Sequence, residues 1–185
     1  MSEASETVFL HHLTDRLKWS VLDAPSTVQV LDMDENNEPQ YIPLFGSPPH
    51  ALAALPITSP ARSCMLVFNA LVECSEYWQD SGDPAPAPLV IENLDGRPIS
   101  VAQFITELHD YTLRLRDLMY EIEDRAHEEE AVYTFFSVSG PKRGDAADVD
   151  ARFMVDFVSD VVKDDEMLEG IWAQNMQRFV EQQRG

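Results

Sequence analysis

Residues 88–130 constrain the fold more than any other stretch, because a short apolar run, a turn and a long amphipathic pattern follow one another there. Pro88-Leu89-Val90-Ile91-Glu92-Asn93-Leu94 is rich in β-branched and apolar residues, preceded by prolines and followed by Asp95-Gly96. That is the composition of a strand entering a tight turn. Ser100 stands three residues before Gln103, a spacing that lets the serine hydroxyl take the Gln103 amide while the glutamine side chain reaches back to the cap. A helix is therefore expected to open at Val101. Phe104, Ile105, Leu108, Tyr111, Leu115, Leu118, Met119 and Ile122 then make one stripe at steps of three and four. A helix from 101 to about 127 would be roughly 40 Å long at 1.5 Å per residue. A small core needs less, so the last turns are expected to project or to carry a partner.

With 185 residues, 44% hydrophobic content and charge spread along the chain, the composition is that of a globular domain. A chain of this length buries about 70% of the surface it exposes when unfolded and needs neither disulfide nor metal for stability. Residues 1–6 are expected to be a flexible N-terminus and 7–185 a single domain. No apolar run reaches the ~20 residues of a membrane span, and Met1-Ser2-Glu3-Ala4-Ser5-Glu6 is acidic where a secretory leader would be basic and then apolar. The expected setting is intracellular, cytoplasmic or nuclear, with Cys64 and Cys74 as reduced thiols. The formal net charge of −20 repels phosphate backbones and anionic membranes. Direct nucleic-acid binding and membrane binding are thereby disfavoured, and a protein partner with a basic surface is favoured.

Along the rest of the chain, residues 7–22 read as a short helical pattern passing into a strand, Leu17-Lys18-Trp19-Ser20-Val21. Residues 27–33 and 40–45 read as a hairpin whose second arm, carrying Pro43, lies at a sheet edge. Residues 46–63 are proline-rich and read as a wrapping loop. Residues 65–72 read as a strand or a short helix, with the strand favoured, 131–138 as a strand or an extension of the long helix, 152–158 as a strand, and 174–183 as a final short helix. Mobile loops are expected near 79–87 and 139–151. Strands and helices mix without regular alternation. The expected fold is α+β, a small mixed or antiparallel sheet packed against one long amphipathic helix (about 101–127) plus shorter helices.

Several of these pieces resemble a family of fungal proteins of unknown function, found mainly in mushroom-forming fungi. The resemblance rests on Leu17-Lys18-Trp19-Ser20-Val21 with Asp23-Ala24-Pro25, on Pro60-Ala61-Arg62, and on Leu89-Val90-Ile91-Glu92-Asn93 followed by Ile99-Ser100-Val101-Ala102-Gln103-Phe104. Met154-Val155-Asp156-Phe157-Val158 and Leu168-Glu169-Gly170-Ile171-Trp172 complete it. The chain departs from the family pattern in its long 72–87 segment and in the acidity of the helix end. The resemblance implies a fungal, intracellular α+β domain and carries no activity.

No linear motif supplies a reaction. Asp32-Met33-Asp34-Glu35-Asn36-Asn37-Glu38 begins like a calcium loop, but Asn37 stands where the turn needs Gly and Pro43 where a bidentate Glu is required. A hairpin turn with Asn at positive φ explains it better. His11, His12 and Asp15 have helical spacing without a His-Glu-x-x-His pattern, so no metal is expected. No Gly-x-Ser-x-Gly occurs, and the seven glycines build neither a dinucleotide fingerprint nor a phosphate loop, so no cofactor is expected either.

The strongest surface feature is the acidic run ending the long helix. Negative charge at a helix C-terminus opposes the macrodipole by ~0.3–1 kcal/mol per exposed group, a local cost that hints at use. Glu121, Glu123, Asp124, Glu128, Glu129 and Glu130, with Tyr133, Phe135 and Phe136 of the adjacent aromatic segment, are the expected partner-binding residues. The function expected is an acidic protein-binding domain without catalytic activity, with homo-oligomerisation left open. The alternatives are a polyanion mimic that inhibits a basic enzyme and an enzyme with a dispersed active site.

Overall fold

Alternation along the strands separates two apolar faces, and a different helix covers each. The structure, a computed structural model, describes residues 8–73, 84–124, 131–140, 151–161 and 166–184. Its elements are β1 (Val8–Phe9), α1 (His11–Thr14), β2 (Leu17–Lys18), β3 (Gln29–Met33), β4 (Pro39–Pro43), β5 (Thr58–Ser59) and β6 (Cys64–Asn69). Then follow α2 (Ala70–Glu73), β7 (Leu89–Glu92), α3 (Val101–Ile122), β8 (Ala131–Ser139), β9 (Ala151–Val161) and α4 (Glu166–Arg184). The fold is α+β, as the sequence led us to expect. The expected N-terminal tail, Cys74 and most of both expected loops lie outside the described residues.

The largest sheet has the order β7-β6-β9-β8 and is mixed, with β6 and β9 parallel and the other pairs antiparallel. β2, β3 and β4 form an antiparallel meander, with Pro43 on its edge strand, and β1 pairs with β5. One segment links meander and large sheet. Leu17 and Lys18 pair with Val30 and Gln29, but Ser20 bridges Thr134 of β8, the Val21 N–H donates to the Tyr133 carbonyl (2.8 Å) and the Phe135 N–H to the Trp19 carbonyl (3.1 Å). The strand changes partner within two residues, so β3 and β8 diverge on either side of it.

The stripe read from the sequence seats α3. Val101, Phe104, Ile105, Leu108, Tyr111, Thr112, Met119 and Tyr120 are buried, and Phe9 meets Phe104 and Phe153 edge-on at 5.3 and 5.4 Å between centroids. The Gln103 amide donates to Ser100 Oγ at 3.2 Å. Only that half of the capping box forms, because the Gln103 side chain is held instead by a reciprocal pair of hydrogen bonds with Asn93 (2.8 and 3.0 Å). The pair ties the turn after β7, where Gly96 takes φ +75°, to the first turn of the helix.

Two helix boundaries correct the sequence expectation. α3 stops at Ile122, short of 127, and its end is packed, with Met119 and Tyr120 buried. Asp124, at φ 53°, adopts the left-handed conformation that terminates helices. α4 spans 19 residues and contains Gly170-Ile171-Trp172, which the sequence reading left outside its short 174–183 helix. Leu168, Trp172, Asn175 and Phe179 step by four, three and four along it, a stripe obscured by the flanking acids and Gly170.

Candidate functional site

The acidic helix end is in part a structural joint. Glu123 accepts hydrogen bonds from the Tyr133 hydroxyl (2.7 Å) and the Ser159 hydroxyl (2.6 Å), and so ties the end of α3 to β8 and β9. An ionised acceptor makes such bonds short and strong, which accounts for a carboxylate at an unfavourable helix end. Tyr133 and Phe135 are 0% and 7% exposed. They are core side chains, which corrects the expectation that they meet a partner: β8 turns them inward, where Phe135 stacks on Trp19 at 5.4 Å and Tyr133 lies 5.9 Å from Tyr120. Phe136, the unpaired residue of a bulge in β8, is 54% exposed. Glu121 and Asp124 face solvent, and Glu128, Glu129 and Glu130 lie outside the described residues.

The solvent side of α3 extends this surface toward the N-terminus. Asp110, Asp117 and Glu121 are exposed, and their spacings of seven and four residues put them on one ridge, with Asp124 just beyond the helix end. Leu113 and Arg114 are exposed beside them, and Arg116 pairs with Asp117 at 3.3 Å.

The second region was not foreseen. Leu17, Val30 and Ile42 are paired across the meander and lie on its core face. Alternation then turns Lys18, Leu31 and Tyr41 to the other face, which α4 covers. The Lys18 ammonium sits 4.0 Å from the Trp172 ring centroid and 5.8 Å from that of Tyr41, and the Arg16 guanidinium lies 5.1 Å over Phe179. The Tyr41 hydroxyl donates to the Trp172 carbonyl at 3.4 Å, and burial raises its pKa above the ordinary value.

A cavity of about 250 Å³ opens where β3 and β8 diverge. The strand that changes partner supplies Lys18, Trp19 and Ser20, the following loop Asp23 and Thr27, and β3 supplies Gln29. Val132 of β8 and Leu168 and Trp172 of α4 complete its lining, and it stays open to solvent on the side of Asp23 and Thr27. Among the described residues, the buried indole N–H groups of Trp19 and Trp172 have no hydrogen-bond acceptor, and the buried hydroxyl of Thr134 beside Ser20 has no partner. The alternation of Leu17-Lys18-Trp19-Ser20-Val21 was the one sequence signal for this site. Which residues would face Lys18 depends on contacts across more than a hundred residues.

The motif-like features resolve into structure. His50 Nδ1 accepts the Leu52 N–H (3.1 Å), so its proton lies on Nε2, which donates to Asp32 Oδ2 at 2.7 Å. Both ring nitrogens are occupied, and the imidazole has no position left from which to act as a general base. Burial alone would raise the Asp32 carboxyl. The hydrogen bonds from His50 and the Met33 amide, with Arg16 nearby at 3.5 Å, overcome it and hold the group below its ordinary value. In the calcium-like turn the Asp34 carboxylate accepts the Asn36 and Glu38 amides at 2.8 Å each, and Asn37 has φ 62°. Among the described residues no three His, Cys, Asp or Glu side chains are grouped to hold a metal ion.

No described helix is long and apolar enough to cross a membrane. The chain matches no protein-family model, no curated protein and no solved structure at significant similarity.

Proposed function

We propose that this chain is an acidic intracellular protein-binding domain without catalytic activity, and that its docking face is the solvent ridge of α3. The observation that carries the reading is the alignment of Asp110, Asp117 and Glu121 on one exposed helix face, with Leu113 44% exposed among them. Charges along a ridge steer a basic partner and set its orientation, and an apolar side chain within the ridge offers a place to desolvate. The ridge favours a protein over polyanion mimicry, because Arg114 and Arg116 interrupt the negative charge that a phosphate mimic would keep continuous. The occupied nitrogens of His50 favour binding over the dispersed-enzyme alternative.

The test is affinity capture from the cell's own lysate with two baits, the natural chain and the variant Asp110→Asn/Asp117→Asn/Glu121→Gln/Asp124→Asn. A basic protein held stoichiometrically by the first at low salt, released at high salt and lost from the second is the expected result. Equal recovery on both baits would overturn the assignment of the face.

A further inference from the structure

We infer that the edge of β7 takes an extended, basic segment of a partner protein as an added strand of the large sheet. The first observation is which backbone groups this edge leaves over. The Asn93 N–H donates to the Ser63 carbonyl at 2.7 Å in continuation of the β6–β7 register. By antiparallel alternation Leu89 and Ile91 then bond to β6, while Val90 and Glu92 direct their N–H and C=O groups away from it. Among the described residues nothing bonds to those outward groups. The other edge of the sheet is engaged, since Trp19 and Val21 bond to β8. The edge of the meander is blunted. The Leu44 N–H on the Val28 carbonyl (2.9 Å) marks Pro39, Tyr41 and Pro43 as the residues of β4 that point outward, and two of these three have no N–H to offer.

The second observation is what surrounds the edge. Val90 is 54% exposed and Leu94, just past the strand, 92%. A short edge strand carrying a charge is poorly adhesive by itself; apolar side chains exposed on both sides of Glu92 work against that and suit a docked chain. α3 runs beside the edge, tied to Asn93 through Gln103 and to Ala87 through the Tyr111 hydroxyl (3.2 Å). Glu107 lies one helical turn from each, so it stands level with Val90 and next to the Asp110 end of the ridge. Arg114 lies a turn further on, past Ala87. An antiparallel incoming strand would set a Lys or Arg opposite Glu92 and, two residues later, a β-branched residue opposite Val90. The residue between them would turn to the α3 face, toward Glu107. A second copy fits poorly, because pairing β7 with itself about Ile91 sets Val90 against Glu92 and brings together two chains of net charge −20. The inference rests on the reading of the chain as a protein-binding domain, and the ridge would orient the rest of the same partner.

The probe is the peptide acetyl-Ser-Val-Thr-Arg-Lys-Ile-Thr-Ser-amide, whose Arg and Ile are spaced to face Glu92 and Val90. The control is the same peptide N-methylated at Arg and Ile, which keeps its charge and loses the two donors that a strand needs. Amide hydrogen exchange of the full ¹⁵N-labelled chain at low salt is the readout. The peptide is expected to slow exchange at Val90 and Glu92 saturably, and the N-methylated peptide to leave both unchanged. Val90→Pro removes one outward N–H and no bond to β6; it should weaken binding about tenfold and leave the protection of α3 intact. Glu92→Lys should weaken it similarly, and a peptide with Glu in place of Arg should restore it. No protection of Val90 and Glu92 at about 10 mM peptide, which fills most of a site with Kd near 1 mM, would overturn the inference. Equal binding of the N-methylated peptide would do the same, as would concentration-dependent protection of these amides in the free chain, which would give the edge to a second copy. The ridge variant should still bind the peptide within a few-fold, so loss of its lysate partner and loss of peptide binding are separate failures.

Discussion

α3 and α4 both lie on sheet faces, and the molecule holds them in different ways. Eight side chains of α3 are buried, and its apolar ones belong to one continuous core with Phe9, Trp19, Phe135 and Phe153. Its polar groups are matched as well: His109 Nδ1 donates to the Val21 carbonyl at 3.0 Å, and the Glu123 joint fixes its end. Among its described side chains α4 buries Leu168 and Phe179, and these, with Leu31, are buried outside that main cluster. Lys18 and Arg16 lie on its Trp172 and Phe179 rings, and among the described residues the indole N–H groups of Trp19 and Trp172 have no acceptor. Apolar area and satisfied polar groups make a region stable, whereas few buried apolar side chains and unsatisfied polar groups lower its local stability. α3 is therefore the stability element, and α4 is the more weakly anchored helix.

The largest effect that could break this comparison is at Phe104. Phe104→Ala should destabilise the whole chain by about 3–5 kcal/mol, measured by urea unfolding, and a loss below about 1 kcal/mol would deny α3 its role. Glu123→Ala removes the acceptor for Tyr133 and Ser159 and should cost about 1–3 kcal/mol. A double-mutant cycle with Tyr133→Phe should show coupling between the two. Lys18→Met should cost about 0.5–2 kcal/mol, as expected for loss of a partly desolvated cation–aromatic contact. Its signature is faster proteolysis within 166–184 with α3 untouched.

A pH titration sharpens the same contrast from the meander. Asp32 has a folded pKa below its unfolded value near ~3.9, so its contribution is fully present above that value and is lost as pH falls through the folded pKa. Asp32→Asn should flatten the loss of stability on acidification below about pH 4. The smallest effect belongs to the ridge: neutralising Asp110, Asp117 and Glu121 should change stability by no more than about 0.5 kcal/mol each, because these groups are exposed.

The α3 register, its Ser100 cap, the strand before it and the hairpin with an edge proline were legible in the sequence, because each is set by residues within a turn or a few strand positions of one another. The function of Glu123 was not. An acid at a helix end read as a surface clue, whereas its partners stand 10 and 36 residues along the chain. Tyr133 and Phe135 misled for a related reason: a run of aromatics reveals a strand without revealing what lies on either side of it. The cavity is the extreme case, since it exists only because one strand leaves β3 for β8 and a helix more than 130 residues away closes the gap.

Native-state hydrogen exchange on the free chain tests the central contrast most directly. The account predicts that amides in the middle of α3 exchange only through global unfolding. Those of α4 should exchange through a local opening at least ~2 kcal/mol less costly. If α4 amides are protected to the same level as those of α3, the two seats are equivalent and the account is contradicted.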